Sequence, residues 1–193
     1  MKITFSILLI ISSLVLFQCV KKNVPPKLAV VGISGGDTIT VDVGSSFTAT
    51  FMVTHAINAY AVAALVSYDT THLTLIKDSA GKLARSGTFL GTSGDLTAVL
   101  VNGTPGKILF AYSKQGEQPG TNGEGELWSV SLLAIKTGLT KIAFDRSRCF
   151  IVSPNLVGNE LEKLPSKFDD KLIRIAETQV IADTATVYIK VTP

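Results

Sequence analysis

An all-β fold, a two-sheet β-sandwich or jelly roll built from about ten short strands, is what this sequence predicts. Apolar residues recur at a period of two, as where Phe47, Ala49, Phe51 and Val53 alternate with Ser46, Thr48 and Thr50. That alternation marks a strand with one face in a core. Clusters of Gly, Pro, Asn, Asp and Ser separate such runs. No stretch sustains apolar residues at three-and-four spacing, so helix content should be low. With 193 residues, the chain is long enough for one ordinary domain with a substantial core and a short leader.

Residues 1–19 read as an export signal: Lys2, an apolar run from Ile3 to Phe17, then Cys19. The run is too short for a membrane span of the usual length. Leu16-Phe17-Gln18-Cys19 resembles a bacterial lipobox, whose cysteine carries the lipid of the mature protein, although Gln18 stands where a small residue is usual. Cys19 is therefore the candidate lipidation site, with an uncleaved N-terminal anchor as the alternative. Either places the folded part outside the cytoplasm, at a bacterial cell envelope and fixed to a membrane. Residues 20–27, with Lys21, Lys22, Pro25 and Pro26, form a tether that the paired prolines stiffen.

The sandwich is expected over residues 28–176. Leu28 to Ile33, Thr38 to Val43 and Phe47 to Val53 are its first strands, with Gly35-Gly36-Asp37 as a turn and Gly44 as a break. Lys77 to Gly94 reads as a long ordered loop anchored by Leu83, Phe89 and Leu90. Leu96 to Val101 and Lys107 to Ser113 pair as a hairpin across Asn102-Gly103-Thr104-Pro105-Gly106, whose Gly103 and Pro105 suit a turn. Lys114 to Gly125 reads as a flexible glycine-rich loop, and a strand is expected from Leu127 to Ile135. Leu139 to Phe144, Phe150 to Val152 and Lys171 to Ile175 follow. Residues 177–193 hold one more alternating run, Thr184 to Val191, fit to add a strand or to lie across a face.

The stretch from Asn58 to Ile76 organises the rest. Tyr60 to Val66 is apolar at every position, as expected of a strand central in its sheet. Ser67-Tyr68-Asp69 then bends the chain, and Leu73, Leu75 and Ile76 resume an apolar pattern. This corner resembles that of bacterial cohesin domains, in which a long strand ends in a Ser-Tyr-Asp-like sequence and a leucine opens the next strand. Ser67, Tyr68, Asp69 and Leu73 occupy those places. Phe150 to Phe168, containing Asn159, Glu160 and Leu161, is similar to the closing segment of that family, and the likeness runs from about Ile39 to Ile175.

Charge and motifs exclude several function classes. Eighteen basic residues against fifteen acidic ones give a net charge of +3, and the basic residues are scattered, unlike a phosphate-binding surface. His55 and His72 read as exposed turn residues and not as members of a catalytic triad. Cys149 reads as a small core residue, and no His or Cys spacing matches a zinc site. Glu124 with Glu126 and Asp169 with Asp170 are the close carboxylate pairs a glycosidase would need, yet the first flanks glycine and reads as a solvated loop edge. Asn122, Glu124 and Glu126 only approximate a calcium ligand set. No enzyme, metal or cofactor is expected.

The cohesin resemblance implies a non-catalytic module that binds a protein partner, dockerin-like, through one sheet face. The family's polar contact positions on the strand before the corner fall at Ala61 and Ala63, and a partner glutamate falls at Tyr112, so the recognition code itself is not carried over. Val62, Ala64, Val66 and Tyr68 should face inward. Ala61, Ala63 and Leu65 are left as a smooth apolar strip, to be met by a partner or covered by the chain's own tail. The partner-binding candidates are Ala61, Ala63, Leu65 and Tyr112. The alternative is a carbohydrate-binding module acting in polysaccharide binding or breakdown, with Tyr60, Tyr112 and Tyr188 as stacking faces and Trp128 assigned to the core. A purely structural envelope domain is the third reading.

Overall fold

The computed structural model describes residues 28–91, 96–100 and 104–177. The leader with Cys19, the tether, Asn102-Gly103 and the run that includes Tyr188 lie outside the described residues. Within them the chain forms fourteen strands, numbered in chain order, and one short 3-10 turn at Arg146–Arg148. One sheet has six strands and the other eight. The six-stranded sheet runs β13 (Ser166–Phe168), β1 (Ala29–Ile33), β3 (Ser46–Ala59), β9 (Thr121–Ala134), β5 (Leu73–Ile76), with β6 (Ala84–Ser86) also on β9.

The eight-stranded sheet runs β12 (Glu160–Leu164), β11 (Phe150–Val157), β4 (Ala61–Tyr68), β10 (Gly138–Phe144), β14 (Lys171–Ala176), β2 (Thr38–Asp42). On the other side of β4 lies β8 (Lys107–Ser113), and β7 (Leu96–Leu100) pairs with β8. β4 is thus bonded along both edges, by β8 from Ala61 to Ser67 and by β11 and then β10 on the opposite side. Interior placement explains why Tyr60 to Val66 carries no polar residue. The strands that sequence patterning did not separate, β6, β12 and β13, all sit at sheet edges. Short polar edge strands have no two-sided burial to write a pattern.

Two corrections concern glycine-rich stretches. Strand β9 begins at Thr121, inside the expected loop Lys114 to Gly125. The glycines there make room: a Cβ on Gly125 would come within 3.1 Å of the Phe89 ring. The expected loop Lys77 to Gly94 contains β6, and its Phe89 and Leu90 are buried as anchors. Gly87 N and Phe89 N donate to Leu127 O and Glu126 O, which straps this segment to β9.

The core lies between the sheets. Phe51 and Trp128 are cross-strand partners in the six-stranded sheet, with ring centroids 5.1 Å apart. Phe110 enters from the eight-stranded sheet and stacks on Trp128 at 4.2 Å and 21°. Phe144 meets the edge of Phe51 at 5.8 Å. Such pairs contribute roughly 0.5–1.5 kcal/mol each beyond the area they bury. At one end of the sandwich Lys171, an inward position of β14, is buried and its Nζ donates to Gly36 O. Burial pushes its ammonium down from its ordinary range, while Asp37 opposes that shift.

The corner between β4 and β5 carries the chain from one sheet to the other. Asp69 Oδ1 accepts from Thr71 N at 2.8 Å and from Thr71 Oγ1 at 2.7 Å, and Asp69 Oδ2 lies 2.7 Å from His72 Nδ1. These bonds, the Thr71 backbone bond first, hold the carboxyl down to about 2 from 3.8. A carboxylate with a depressed pKa contributes stability that is present above its unfolded pKa and lost as pH falls through the folded one. Asp69→Ala should therefore lower the melting temperature at pH 7, and the gap to the parent should close as the pH is taken toward about 2. Circular-dichroism melts across that range check this, and a pH-independent gap would show that the carboxylate's charge is not what locks the corner.

Candidate functional site

The outer face of the eight-stranded sheet is built from strand alternation. On β4, Val62, Ala64 and Val66 point into the core and are no more than 3% exposed, while Tyr68 packs half-buried at its margin. Ala61, Ala63, Leu65 and Ser67 therefore point outward. The register places them beside Ser113, Ala111, Leu109 and Lys107 of β8. On the other side Phe150 lies opposite Ala63 and Val152 opposite Ala61. The centre of the face is thus a floor of small side chains, with Phe150 standing at its edge, 38% exposed.

Cations frame this floor. Lys107, Lys141 and Arg174 occupy outward positions of β8, β10 and β14, and Lys163 of β12 holds its Nζ 5.5 Å from the Phe150 ring centroid. Arg146 and Arg148 extend from the 3-10 turn beside β4, Arg146 pairing with Asp170 at 3.4 Å. No outward position of β4, β8, β10 or β11 holds an acid. Exposed acids lie around the margin of the floor: Asp145 at the start of the turn, Asp170 paired with Arg146, Glu160 of β12, and Asp42 on the far edge strand. Asp145 is kept acidic chiefly by its Ser147 bond, with help from Arg148 and Lys107.

The structure brings Ala61 and Ala63 together on this floor, half-exposed. Leu65 differs from expectation: it is only 9% exposed. The segment after β10 lies against β4 there, with Asp145 N donating to Leu65 O at 2.9 Å and Cys149 Sγ 3.7 Å from the same oxygen. A charged substitution at Leu65 would therefore disturb packing as well as a surface. Tyr112 also departs from its expected role. It is an inward residue of β8, 4% exposed, and its hydroxyl donates to Gly91 O. A side chain so placed offers nothing to a partner on the outer face, because an even position on β8 points to the core.

Sequence reasoning missed Phe150, Leu109 and Ala111 as members of this face. The period of two was legible in each strand, but which strands flank β4 was not. Of the aromatic residues weighed for stacking on sugars, Trp128 and Tyr112 present no exposed ring face, Tyr60 is half-buried, and Tyr188 lies outside the described residues. The Tyr60 hydroxyl donates to Gly116 O at 2.6 Å. Cys149 is half-buried, and desolvation pushes its thiol up, away from the reactive thiolate. His55 lies within β3 in a left-handed conformation, φ 57°, at an irregular stretch of the β3–β9 ladder.

No protein-family model matches the sequence, and no curated protein matches it. Solved structures do match in fold. A non-cellulosomal cohesin from the archaeon Archaeoglobus fulgidus superposes with a TM-score of 0.59 at 14% identity, over 78% of this chain and 93% of that one. The second type II cohesin module of the ScaA scaffoldin of Acetivibrio cellulolyticus superposes with a TM-score of 0.61 at 16% identity, over 83% and 97%. A cohesin–dockerin complex also matches, with a TM-score of 0.55 at 12% identity, over 77% and 99%. The chain has a cohesin-like β-sandwich fold.

Proposed function

We propose that this chain is a non-catalytic docking module that binds an acidic, dockerin-like protein across the outer face of its eight-stranded sheet. The observation that carries this reading is the floor of Ala61, Ala63 and Ala111, framed by cations and free of acids on the four strands that build it. Small side chains let a partner element approach the sheet closely, and the surrounding charge would steer an acidic partner and set its orientation. The cohesin-like fold supports the reading, since one matching structure holds a cohesin with a dockerin.

The test is binding of a panel of purified dockerins to the immobilised full chain and to Ala63→Glu. The expected result is a partner held by the parent, more weakly at high salt, and lost with Ala63→Glu at unchanged melting temperature. Binding that ignores Ala63→Glu in a folded variant would place the interface elsewhere. In the same reading the leader carries the module to the cell envelope and a lipid on Cys19 holds it there. Cys19→Ser should then move the protein from the membrane to the soluble fraction of the producing cell, and retention in the membrane would refute lipid anchoring.

A further inference from the structure

The opposite face of the sandwich carries a second feature that the docking reading does not use. β5 and β6 both pair with the same edge of β9, Leu75 opposite Leu132 and Ala84 opposite Val130. The residues between them, 77–83, leave the sheet and return to it. They wall a cavity of about 540 Å³ on the outside of the six-stranded sheet, within the size range of roughly 300–1,000 Å³ usual for small-molecule sites.

The floor of this cavity is hydroxylic. Ser46 and Thr48 of β3 and Ser129 and Ser131 of β9 are outward residues of adjacent strands, Thr48 lying directly opposite Ser131. The wall is cationic. Lys77 and Lys82 are exposed, and no described residue forms an ion pair with either. Arg85 stands at the rim on β6, its side chain 52% exposed.

One carboxylate lies in this wall, and it is consumed internally. Asp78 Oδ1 accepts from Ala80 N at 2.8 Å and from Lys82 N at 2.9 Å, and Asp78 Oδ2 accepts from Arg85 Nε. Asp78 N also donates to Lys82 O at 2.8 Å. The Arg85 contact first, then the backbone bonds, hold the Asp78 carboxyl at about 2. Asp78 therefore shapes the wall and fixes Arg85 through Nε, which leaves the terminal nitrogens of the guanidinium and both ammonium groups to face a ligand. Guanidinium recognises a carboxylate through paired parallel bonds, and rows of Ser and Thr exchange hydrogen bonds with sugar hydroxyls in either direction.

From this juxtaposition we propose that the cavity binds a carboxylated saccharide, the uronate units of an acidic polysaccharide, on the sheet opposite the docking face. The cations of Lys77, Lys82 and Arg85 take the carboxylate, and the hydroxyls of Ser46, Thr48, Ser129 and Ser131 take the ring hydroxyls. The site has no need of an aromatic platform, since charge supplies what stacking provides for neutral sugars. It stands independently of the docking reading.

The experiment is calorimetric titration of the full chain with a galacturonate trimer, with a neutral glucose trimer and inorganic phosphate in parallel. Lys77→Gln and Lys82→Gln remove charge without touching the Asp78–Arg85 contact, and Lys82 keeps its backbone bonds. The expected result is binding of the uronate alone, weakened about tenfold or more by each lysine variant, as for loss of a hydrogen bond to a charged group. Ala63→Glu should leave it unchanged. Equal binding of the neutral trimer, equal binding of phosphate, indifference to both lysine variants, or no uronate binding at millimolar concentration would each overturn the proposal.

Discussion

Trp128→Ala should cost the fold about 3–5 kcal/mol, the range for truncating a fully buried large aromatic, and should be read as a shift in the urea midpoint at constant slope. The size follows from where the ring sits. Trp128 is 2% exposed and lies between Phe51 of its own sheet and Phe110 of the other, with centroids at 5.1 and 4.2 Å. Its removal opens a void between the sheets and breaks two ring contacts at once. Trp128→Phe isolates the cause. Trp128 Nε1 has no hydrogen-bond partner among the described residues, and a buried donor without one carries a desolvation penalty of about 1–3 kcal/mol. The phenyl ring removes that penalty while keeping part of the stack, so Trp128→Phe should cost much less than Trp128→Ala. Equal losses from the two variants would show that the stack is not what holds the sheets together.

The second large effect is a contrast between neighbours on β4. Ala63→Glu places its carboxylate on the outer floor and is expected to leave the melt unchanged while abolishing partner binding. Ala64→Glu, one residue on, drives the same group into the core, where Ala64 is 0% exposed. Burying an unpaired carboxylate costs several kcal/mol or forces its protonation, so Ala64→Glu should fail to fold or melt far below the parent. Thermal melts of both variants, set beside dockerin binding by Ala63→Glu, check the pair. A stable Ala64→Glu together with an unfolded Ala63→Glu would invert the face assignment and remove the proposed docking surface.

Much of this molecule is legible in its sequence. The alternation in Phe47 to Val53 and the all-apolar run Tyr60 to Val66 identified a strand with one buried face and a strand central in its sheet, and both stand in β3 and β4. The inward set Val62, Ala64 and Val66 was likewise readable, because successive side chains on a strand must point to opposite faces. The Ser67-Tyr68-Asp69 corner was visible as turn chemistry, and the structure adds the bonds of Asp69 to Thr71 and His72.

The remainder was decided by contacts distant in sequence. That Leu65 is covered depends on the Asp145–Cys149 segment arriving beside β4, and nothing within Asn58 to Ile76 encodes that arrival. Sequence alone places Tyr112 on a partner surface, yet its parity on β8, set by the register Val62 opposite Tyr112, turns it to the core. Gly123 and Gly125 read as loop because local propensity disfavours glycine in strands, whereas pairing with β3 and the close approach of Phe89 outweigh that preference. The cavity floored by Ser129 and Ser131 exists only because β5 and β6 return to one edge of β9. Sequence by itself determined which residues could form strands and which side of each strand is apolar, since both are local properties of the backbone and its side chains. Tertiary structure alone decided which strands are neighbours, and therefore which side chains share a face, because pairing is settled by burial and hydrogen bonding summed over the whole chain.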